Sequence, residues 1–241
     1  MHTTLILARG VLKELIRRKD FYLIFFFLLV IICSSASLSF GGETGFQRYF
    51  KEIGISFAYI FSVVIAVTFA SAQIPREIES KTIYPILAHP VSRGDFIIGK
   101  FLGVLFVAAA SFTLFYAVFI GSLHVKGDLS TPPTLLMQGY LFHICLLSFF
   151  VALCLLFSLF LTTTANMGIS LILYFATDWF GATLPNYIYL PHPELFDIKD
   201  KIIHTQDIIP AWAASFLVLY AVIYTALFLM LAYMVFKKRN L

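Results

Sequence analysis

The chain has 241 residues, of which 60% are hydrophobic, 17% aromatic and only 12% charged. Soluble domains usually carry about 25% charged residues, so this composition excludes an ordinary water-soluble fold and indicates that lipid surrounds most of the chain. The net charge of +4 is too small to indicate nucleic-acid binding, and the basic residues lie at the ends of apolar segments, as membrane-surface anchors do.

Residues 3–19 are the first predicted element, an amphipathic helix with aliphatic side chains on one face and charged side chains on the other. A basic amphipathic helix beside a membrane span usually lies in the plane of the interface, and a frayed extension of the first span is the alternative. Arg17 and Arg18 are expected to contact the lipid headgroups from this helix.

Six apolar segments follow, each with at least the roughly 17 residues that the shortest transmembrane helices have, and the first of them spans a hydrocarbon core of about 30 Å at about 1.5 Å per residue. The predicted spans are residues 21–40, 53–74, 96–123, 135–161, 168–184 and 209–236. The fold is therefore predicted to be an all-α polytopic membrane protein. It would form a single transmembrane domain over residues 1–241, with an N-terminal interfacial helix, six transmembrane helices and a polar outer loop at 185–208.

The lysine and arginine residues give the orientation. Twelve of them fall on the side that holds both termini and residues 75–95, and five fall on the other side. Because cytoplasmic loops are enriched in these residues, both termini and residues 75–95 are predicted to be cytoplasmic. Lys237 and Lys238 in the C-terminal tail, and Lys100 at the start of the third span, are expected to reach the headgroups.

Residues 75–95 are the polar interruption between the second and third spans. A short helix is predicted to begin at Pro75 and to end or kink at Pro85, with apolar side chains inside a charged rim. Such a helix suits the groove of a partner protein, whereas a solvated connecting loop is the alternative.

The stretch Gly94–Lys100 reads GDFIIGK and matches most of a phosphate-binding loop. Its next residue is Phe101, where a serine or threonine would be needed to hold magnesium, and the lysine enters a membrane span rather than following a buried strand. A nucleotide site is therefore not predicted in this chain.

Other polar residues could carry chemistry within the membrane or in the outer loop. His143 on the fourth span and Asp178 on the fifth would be the candidates of an intramembrane enzyme, although a satisfied structural histidine and a carboxylate near the interface are the simpler interpretations. His192 and His204 lie near acidic residues in the outer loop, without a spacing that defines a metal site. Since no catalytic motif occurs, the chain is not predicted to be an enzyme.

The three cysteines, Cys33, Cys145 and Cys154, lie in apolar segments and have neither zinc-ligand spacing nor a disulfide framework. They are predicted to be packing residues.

The segment between the second and third spans resembles the corresponding loop of ABC-2-type ATP-binding-cassette permeases. That loop has an acidic residue, a threonine, a hydrophobic pair, a Pro-x-Ser-Arg motif and a Gly-Lys pair. In this chain these are Glu77 or Glu79, Thr82, Ile86 with Leu87, Pro90 to Arg93, and Gly99 with Lys100. The N-terminal interfacial "elbow" helix, the six spans and the basic tail agree with the family, and LPHPELFDIKD in the outer loop is similar to the branch that includes the nitrous-oxide-reductase maturation permease.

The resemblance implies the membrane subunit of an exporter in the bacterial cytoplasmic (inner) membrane. Two such chains, as a homodimer, would each dock the 75–95 coupling loop on a separate ATPase subunit, which would bind ATP and Mg²⁺, since no cofactor is expected here. The residues expected to couple to the ATPase are Glu77, Glu79, Lys81, Thr82, Tyr84, Leu87 and Arg93. The outer loop would act as a gate or dock an extracytoplasmic partner, and the substrate is not implied. An intramembrane enzyme and a scaffold that recruits a cytoplasmic protein are the alternatives.

Overall fold

The computed structural model describes residues 43–79, 92–125, 131–183, 193–205 and 207–238, together with Gly10, Tyr22, Phe26 and Val30, which are helical. The side chains of residues 43–48 and 178–183 are outside this description. The predicted interfacial helix, with Arg17 and Arg18, and most of the first predicted span lie outside the described residues.

Five long helices make up the described fold. They are α1 (Glu43–Glu79), α2 (Arg93–Val125), α3 (Pro133–Phe157), α4 (Thr163–Thr183) and α5 (Ala211–Lys238). A 3₁₀ helix at Pro193–Phe196 and a π-helical turn at Lys201–Thr205 lie between α4 and α5. Within the described ranges there is no strand, in agreement with the all-helical prediction.

Four of these helices are long and apolar enough to cross a membrane. They are Tyr49–Glu79 within α1, Arg93–His124 within α2, the whole of α3 and the whole of α5, with mean hydropathies between 2.2 and 2.5. They coincide with the second, third, fourth and sixth predicted spans. The fifth predicted span falls on α4. This helix begins at Thr163, within the uncharged sequence TTTANM.

The core lies where α1, α2 and α3 meet. Its bulkiest members are aromatic, since rings fill the wide spaces between helices. The largest fully buried members are Tyr59, Phe69, Phe96, Phe112, Phe115, Phe119, Phe142, Phe150, Phe196 and Phe236. We call the end where α1 stops and α2 starts the basal end, and the end where α2 stops and α3 starts the distal end.

The helix α5 is peripheral. In its most apolar window only 17% of the residues are buried within the chain, against 50–61% for the other three candidate spans. One face of α5 packs on α3, where Phe149 and Phe228 meet edge to face with their ring centroids 5.2 Å apart. The rest of its surface carries large exposed apolar residues such as Trp212, Phe216 and Met230.

Candidate functional site

The helix α1 continues through Pro75 and ends at Glu79. The prediction that a new helix begins at Pro75 is therefore wrong. Proline removes one backbone donor and crowds the carbonyl four residues earlier, but in a long membrane helix the neighbouring hydrogen bonds and packed helices can accommodate it. Because of this continuity, Glu77 belongs to the same helix as the second predicted span and must move with it.

An ion pair joins α1 to α2 at the basal end. The Nζ atom of Lys100 contacts a carboxylate oxygen of Glu77 and donates a hydrogen bond to Oε1 of Gln73 at 3.2 Å. Lys100 and Gln73 are each only 4% exposed. A desolvated ammonium group needs such acceptors, and α1 provides two of them one helical turn apart. The structure thus shows that Lys100 links α2 to α1, and its predicted contact with the headgroups stays a prediction.

The start of α2 is capped by its own side chains. Ser92 Oγ accepts a hydrogen bond from the backbone N–H of Asp95 at 3.0 Å and donates one to Asp95 Oδ2 at 2.7 Å. A serine at the N-cap followed three residues later by an acidic side chain is a known start signal for a helix, and the carboxylate also suits the positive end of the helix dipole. This cap sets the direction in which the chain leaves residues 80–91 and enters α2.

Arg93 connects the first turn of α2 to the last turn of α5. Its Nη1 atom donates hydrogen bonds to the backbone carbonyl oxygens of Phe236, at 2.8 Å, and of Lys237, at 2.9 Å. Its guanidinium carbon lies 5.7 Å from the centroid of the Phe236 ring. The last carbonyls of a helix have no intrahelical donor and carry partial negative charge, so a guanidinium group is a favourable cap for them.

Phe96 lies between these two linkages. Its ring stacks on that of Phe236, with centroids 5.5 Å apart and planes inclined by 11°. Lys100 Nζ is 5.7 Å from the Phe96 centroid on the α1 side. We call this set the basal joint; its members are Gln73, Glu77, Arg93, Phe96, Lys100 and Phe236. It ties α1, α2 and α5 together on both sides of residues 80–91.

The residues expected to couple to an ATPase occupy different positions. Glu77 and Arg93 belong to the basal joint, whereas Glu79 is exposed at the end of α1. Lys237 and Lys238 are exposed on the last turn of α5. The remaining predicted coupling residues, Lys81, Thr82, Tyr84 and Leu87, lie outside the described residues.

The stretch that resembled a phosphate loop is helical. Residues 94–100 lie within α2 and do not form a loop between a strand and a helix, as a phosphate loop requires. Lys100, the residue that would face a phosphate, is engaged by Glu77 and Gln73. That no nucleotide binds at this stretch stays a prediction.

His143 is fully buried among aromatic rings. Its ring stacks on Tyr59, with centroids 3.9 Å apart, and is tilted against Phe112 at 4.2 Å. Its Nε2 atom is 2.6 Å from Ser62 Oγ. Ser62 Oγ donates to the carbonyl oxygen of Tyr59 at 2.8 Å, which assigns the donor role in the first contact to Nε2. His143 is thus a packed member of the interface between α1, α2 and α3.

The second candidate for intramembrane chemistry is Asp178. Asp178 lies on α4, but its side chain is outside the described part of the chain. His143 Nδ1 is buried without a hydrogen-bond partner. Within the described ranges no group of three histidine, cysteine or acidic residues could hold a metal ion, and this includes His204 and its neighbours. His192 lies outside those ranges.

A polar network links α3 to α4 near the basal end. Asn166 Nδ2 donates to the carbonyl oxygen of Cys154 at 2.9 Å, and Ser170 Oγ donates to Asn166 Oδ1 at 3.2 Å. The Cys154 thiol lies 3.2 Å from Ser170 Oγ and is fully buried, while Cys145 is partly buried. Both cysteines have the packing role that was predicted, and Cys33 lies outside the described residues.

The outer segment, residues 193–209 where described, packs down onto the distal end. Phe196 and Ile202 are fully buried. A Cβ atom on Gly139 would lie 2.6 Å from Ile202 Cδ1 and 3.2–3.3 Å from the hydroxyl oxygens of Tyr116 and Tyr59. Glycine at this position therefore allows the outer segment to sit directly on α3.

Gln138 makes a two-point link at the same end. Its Nε2 atom donates to the carbonyl oxygen of Ile209 at 2.7 Å, and its Oε1 atom accepts from the N–H of Ile209 at 3.0 Å. This pairing satisfies both backbone groups of the residue that leads into α5. Sequence reasoning missed Gln138, Gln73 and Ser62, although an isolated amide or hydroxyl in an apolar span is itself a signal that a partner lies across a helix interface.

These observations define a polytopic helical membrane protein whose polar side chains mainly connect helices, with no described constellation for catalysis. Residues 7–241 match the family model described as ABC-2 family transporter protein, and the chain therefore belongs to the ABC-2 transporter family. It is thus a multi-pass transport permease of the ABC type, in a family whose members generally work with a separate cytoplasmic ATPase subunit and have no ATPase site of their own. A search among curated proteins finds no match to this chain.

Proposed function

We propose that this chain is the permease subunit of an ABC exporter in a bacterial cytoplasmic membrane, with six spans and both termini in the cytoplasm. The excess of lysine and arginine at the basal end supports this orientation, because it places the basal joint and residues 80–91 on the cytoplasmic side. Arg17, Arg18, Lys237 and Lys238 then contact the inner headgroups. Two copies pair around a path for the substrate.

The basal joint is the observation that carries the coupling role. Residues 80–91 connect the end of α1, two residues after Glu77, to the start of α2 at Arg93. Side-chain contacts hold both of these helix ends to neighbouring helices. A partner that moves this segment therefore moves α1, α2 and α5 together. Such a rigid connection is what transmission of ATP-driven motion from a separate subunit requires.

ATP and Mg²⁺ bind to the partner ATPase in this proposal. Glu79, Lys81, Thr82, Tyr84 and Leu87 form the docking surface for that subunit. Glu77 and Arg93 act one step behind them, as residues that hold the docking segment to the bundle. The outer segment either gates the path or pushes on an extracytoplasmic partner, as the resemblance to the nitrous-oxide-reductase maturation branch suggests.

Co-purification tests the proposal. The double variant Glu79→Lys with Leu87→Asp reverses one charge and replaces an apolar side chain by a carboxylate at the proposed docking surface. It should therefore abolish recovery of the ATPase subunit with the tagged permease. Glu52→Lys with Leu195→Asp makes the same chemical changes at exposed distal positions and should leave recovery unchanged. Unchanged recovery with the first pair would contradict the proposed docking surface.

A scaffold that only recruits the ATPase makes a different prediction. In that case the bound ATPase would hydrolyse ATP at a rate independent of the permease. We expect the rate in the complex to differ from that of the isolated ATPase subunit, because the two are mechanically linked. A membrane-reconstituted ATPase assay with and without the permease distinguishes these cases.

A further inference from the structure

The helix α5 is fastened at both of its ends by polar contacts. At the basal end, its last carbonyl oxygens accept two hydrogen bonds from Arg93. At the distal end, Ile209, just before the helix, donates one hydrogen bond to Gln138 on α3 and accepts another from it. These contacts resist sliding, because moving either end of α5 breaks two hydrogen bonds at once.

Between its ends α5 is held by one face only. In the most apolar window of α5, 17% of the residues are buried within the chain. Its contacts with α3 include an edge-to-face aromatic pair and a contact of 3.3 Å between the hydroxyls of Ser148 and Thr225. A hydrogen-bonded helix is stiff along its axis, since shortening it would break several backbone hydrogen bonds at once. Displacement of one end of α5 therefore reaches the other end.

The outer segment is attached to the distal part of α5. It leads directly into the helix through Ile209, and Phe196 contacts Tyr220 with ring centroids 6.0 Å apart. Ile202 rests in the notch over Gly139. Because Gln138 holds the start of α5 on α3, a displacement of the basal end tilts α5 about this attachment and moves the outer segment against the distal surface of the bundle.

We infer that α5 is the connecting rod between the cytoplasmic coupling segment and the outer segment, with Arg93 and Gln138 as the positioning residues at its two ends. This inference rests on the proposed function. It assigns Arg93 to force transmission within the chain instead of ATPase docking. The shared motion would lift or lower residues 193–205 relative to α3 when the ATPase subunits close.

The test measures whether the outer segment responds to nucleotide. Ile203 is 7% exposed and Leu195 is 49% exposed, so Ile203→Cys reports opening of the segment and Leu195→Cys reports reagent access. Labelling by a membrane-impermeant maleimide, resolved by mass spectrometry, is followed in the reconstituted complex without nucleotide and with ATP, Mg²⁺ and vanadate. The parent chain, with its native cysteines, provides the background.

With Arg93 intact, nucleotide should change the labelling rate of Cys at position 203 by about fivefold or more, the range of a typical coupling between sites. Arg93→Gln should reduce this change to less than about twofold while the ATPase stays bound and hydrolyses ATP. Arg93→Lys keeps the charge and can reach one carbonyl, so it should retain more of the response. The Gln138→Met variant leaves the basal joint intact and should also lose the nucleotide-dependent change in the labelling rate at position 203.

Two results overturn the inference alone. One is a full nucleotide response in Arg93→Gln, and the other is no response in the intact chain although the ATPase is bound. If Arg93→Gln does not elute as a folded complex, Gln138→Met decides in the same way. Failure of the intact chain to bind any ATPase would instead overturn the proposed function on which the inference rests.

Discussion

Lys100 and Glu77 lie 23 residues apart in the sequence, on either side of the coupling segment, and form an ion pair at the basal end of the bundle. Their side chains are 5% and 16% exposed. The pair links the helix that precedes residues 80–91 in the sequence to the helix that follows them. The segment is thus attached to two helices that are joined to each other, and not to two independent helix ends.

We expect Lys100→Met to destabilise the protein by about 3 kcal/mol, because it leaves the Glu77 carboxylate buried without its partner. The double variant Lys100→Met with Glu77→Met should recover most of this loss, since no unpaired charge remains. The free energy of unfolding, measured by tryptophan fluorescence during SDS titration in mixed micelles, gives the double-mutant cycle.

Glu79→Gln is the control for this cycle, because Glu79 is exposed on the same helical stretch and should change stability by less than about 0.5 kcal/mol. A loss in the double variant equal to the sum of the losses in Lys100→Met and Glu77→Met would show that the two side chains do not interact.

Gly139→Ala should destabilise the distal end by about 1–2 kcal/mol, because the new methyl group would collide with Ile202. Ile202→Val removes the colliding Cδ1 atom, so the double variant should be more stable than Gly139→Ala alone. Gly121→Ala is the matched control, since a Cβ atom there meets nothing within 4 Å. The same unfolding titration measures all three, and the absence of rescue by Ile202→Val would contradict the packing described.

His143→Phe should keep the ATP-dependent activity of the complex and change stability by less than about 1.5 kcal/mol, because the ring retains its place between Tyr59 and Phe112. Ser62 still donates to the carbonyl oxygen of Tyr59 in this variant. His143→Ala should cost about 2–4 kcal/mol through the cavity that it leaves.

The histidine series also tests the alternative of an intramembrane enzyme. If His143 carried chemistry, phenylalanine and alanine would abolish activity equally, whatever their effects on stability. Full activity of the variant with both His143→Phe and Asp178→Asn would remove that alternative.

Asn166→Leu should destabilise the contact between α3 and α4 by about 1 kcal/mol, within the range measured for hydrogen bonds between membrane helices. It removes the hydrogen bond to the Cys154 carbonyl and the acceptor for Ser170. Thr164→Leu, at an exposed position on the same turn, is the control. The expected readout is faster maleimide labelling of Cys154, which the intact network keeps buried; identical labelling rates in both variants would contradict this role.

The helices themselves could be predicted from the sequence, because hydropathy and helix length are local properties. The second, third, fourth and sixth predicted spans all coincide with long apolar helices in the structure. Pro75 was the exception, since a proline that often marks a helix start in water is tolerated inside a helix that its neighbours support. That the 75–95 segment is the place where the bundle is driven stays a prediction, whereas the family to which it was assigned is confirmed.

By itself, then, the sequence determined the membrane class, the positions of the described helices and the family. Only the tertiary structure decided what the charged residues next to the coupling segment do. The sequence predicts that Lys100 reaches the headgroups and that Arg93 couples to the ATPase; the structure adds that Lys100 holds α1 and that Arg93 holds a helix end 143 residues away. The reason is physical: a buried charge takes the acceptors that packing brings within reach, and which helices pack together is not encoded in any one stretch of sequence.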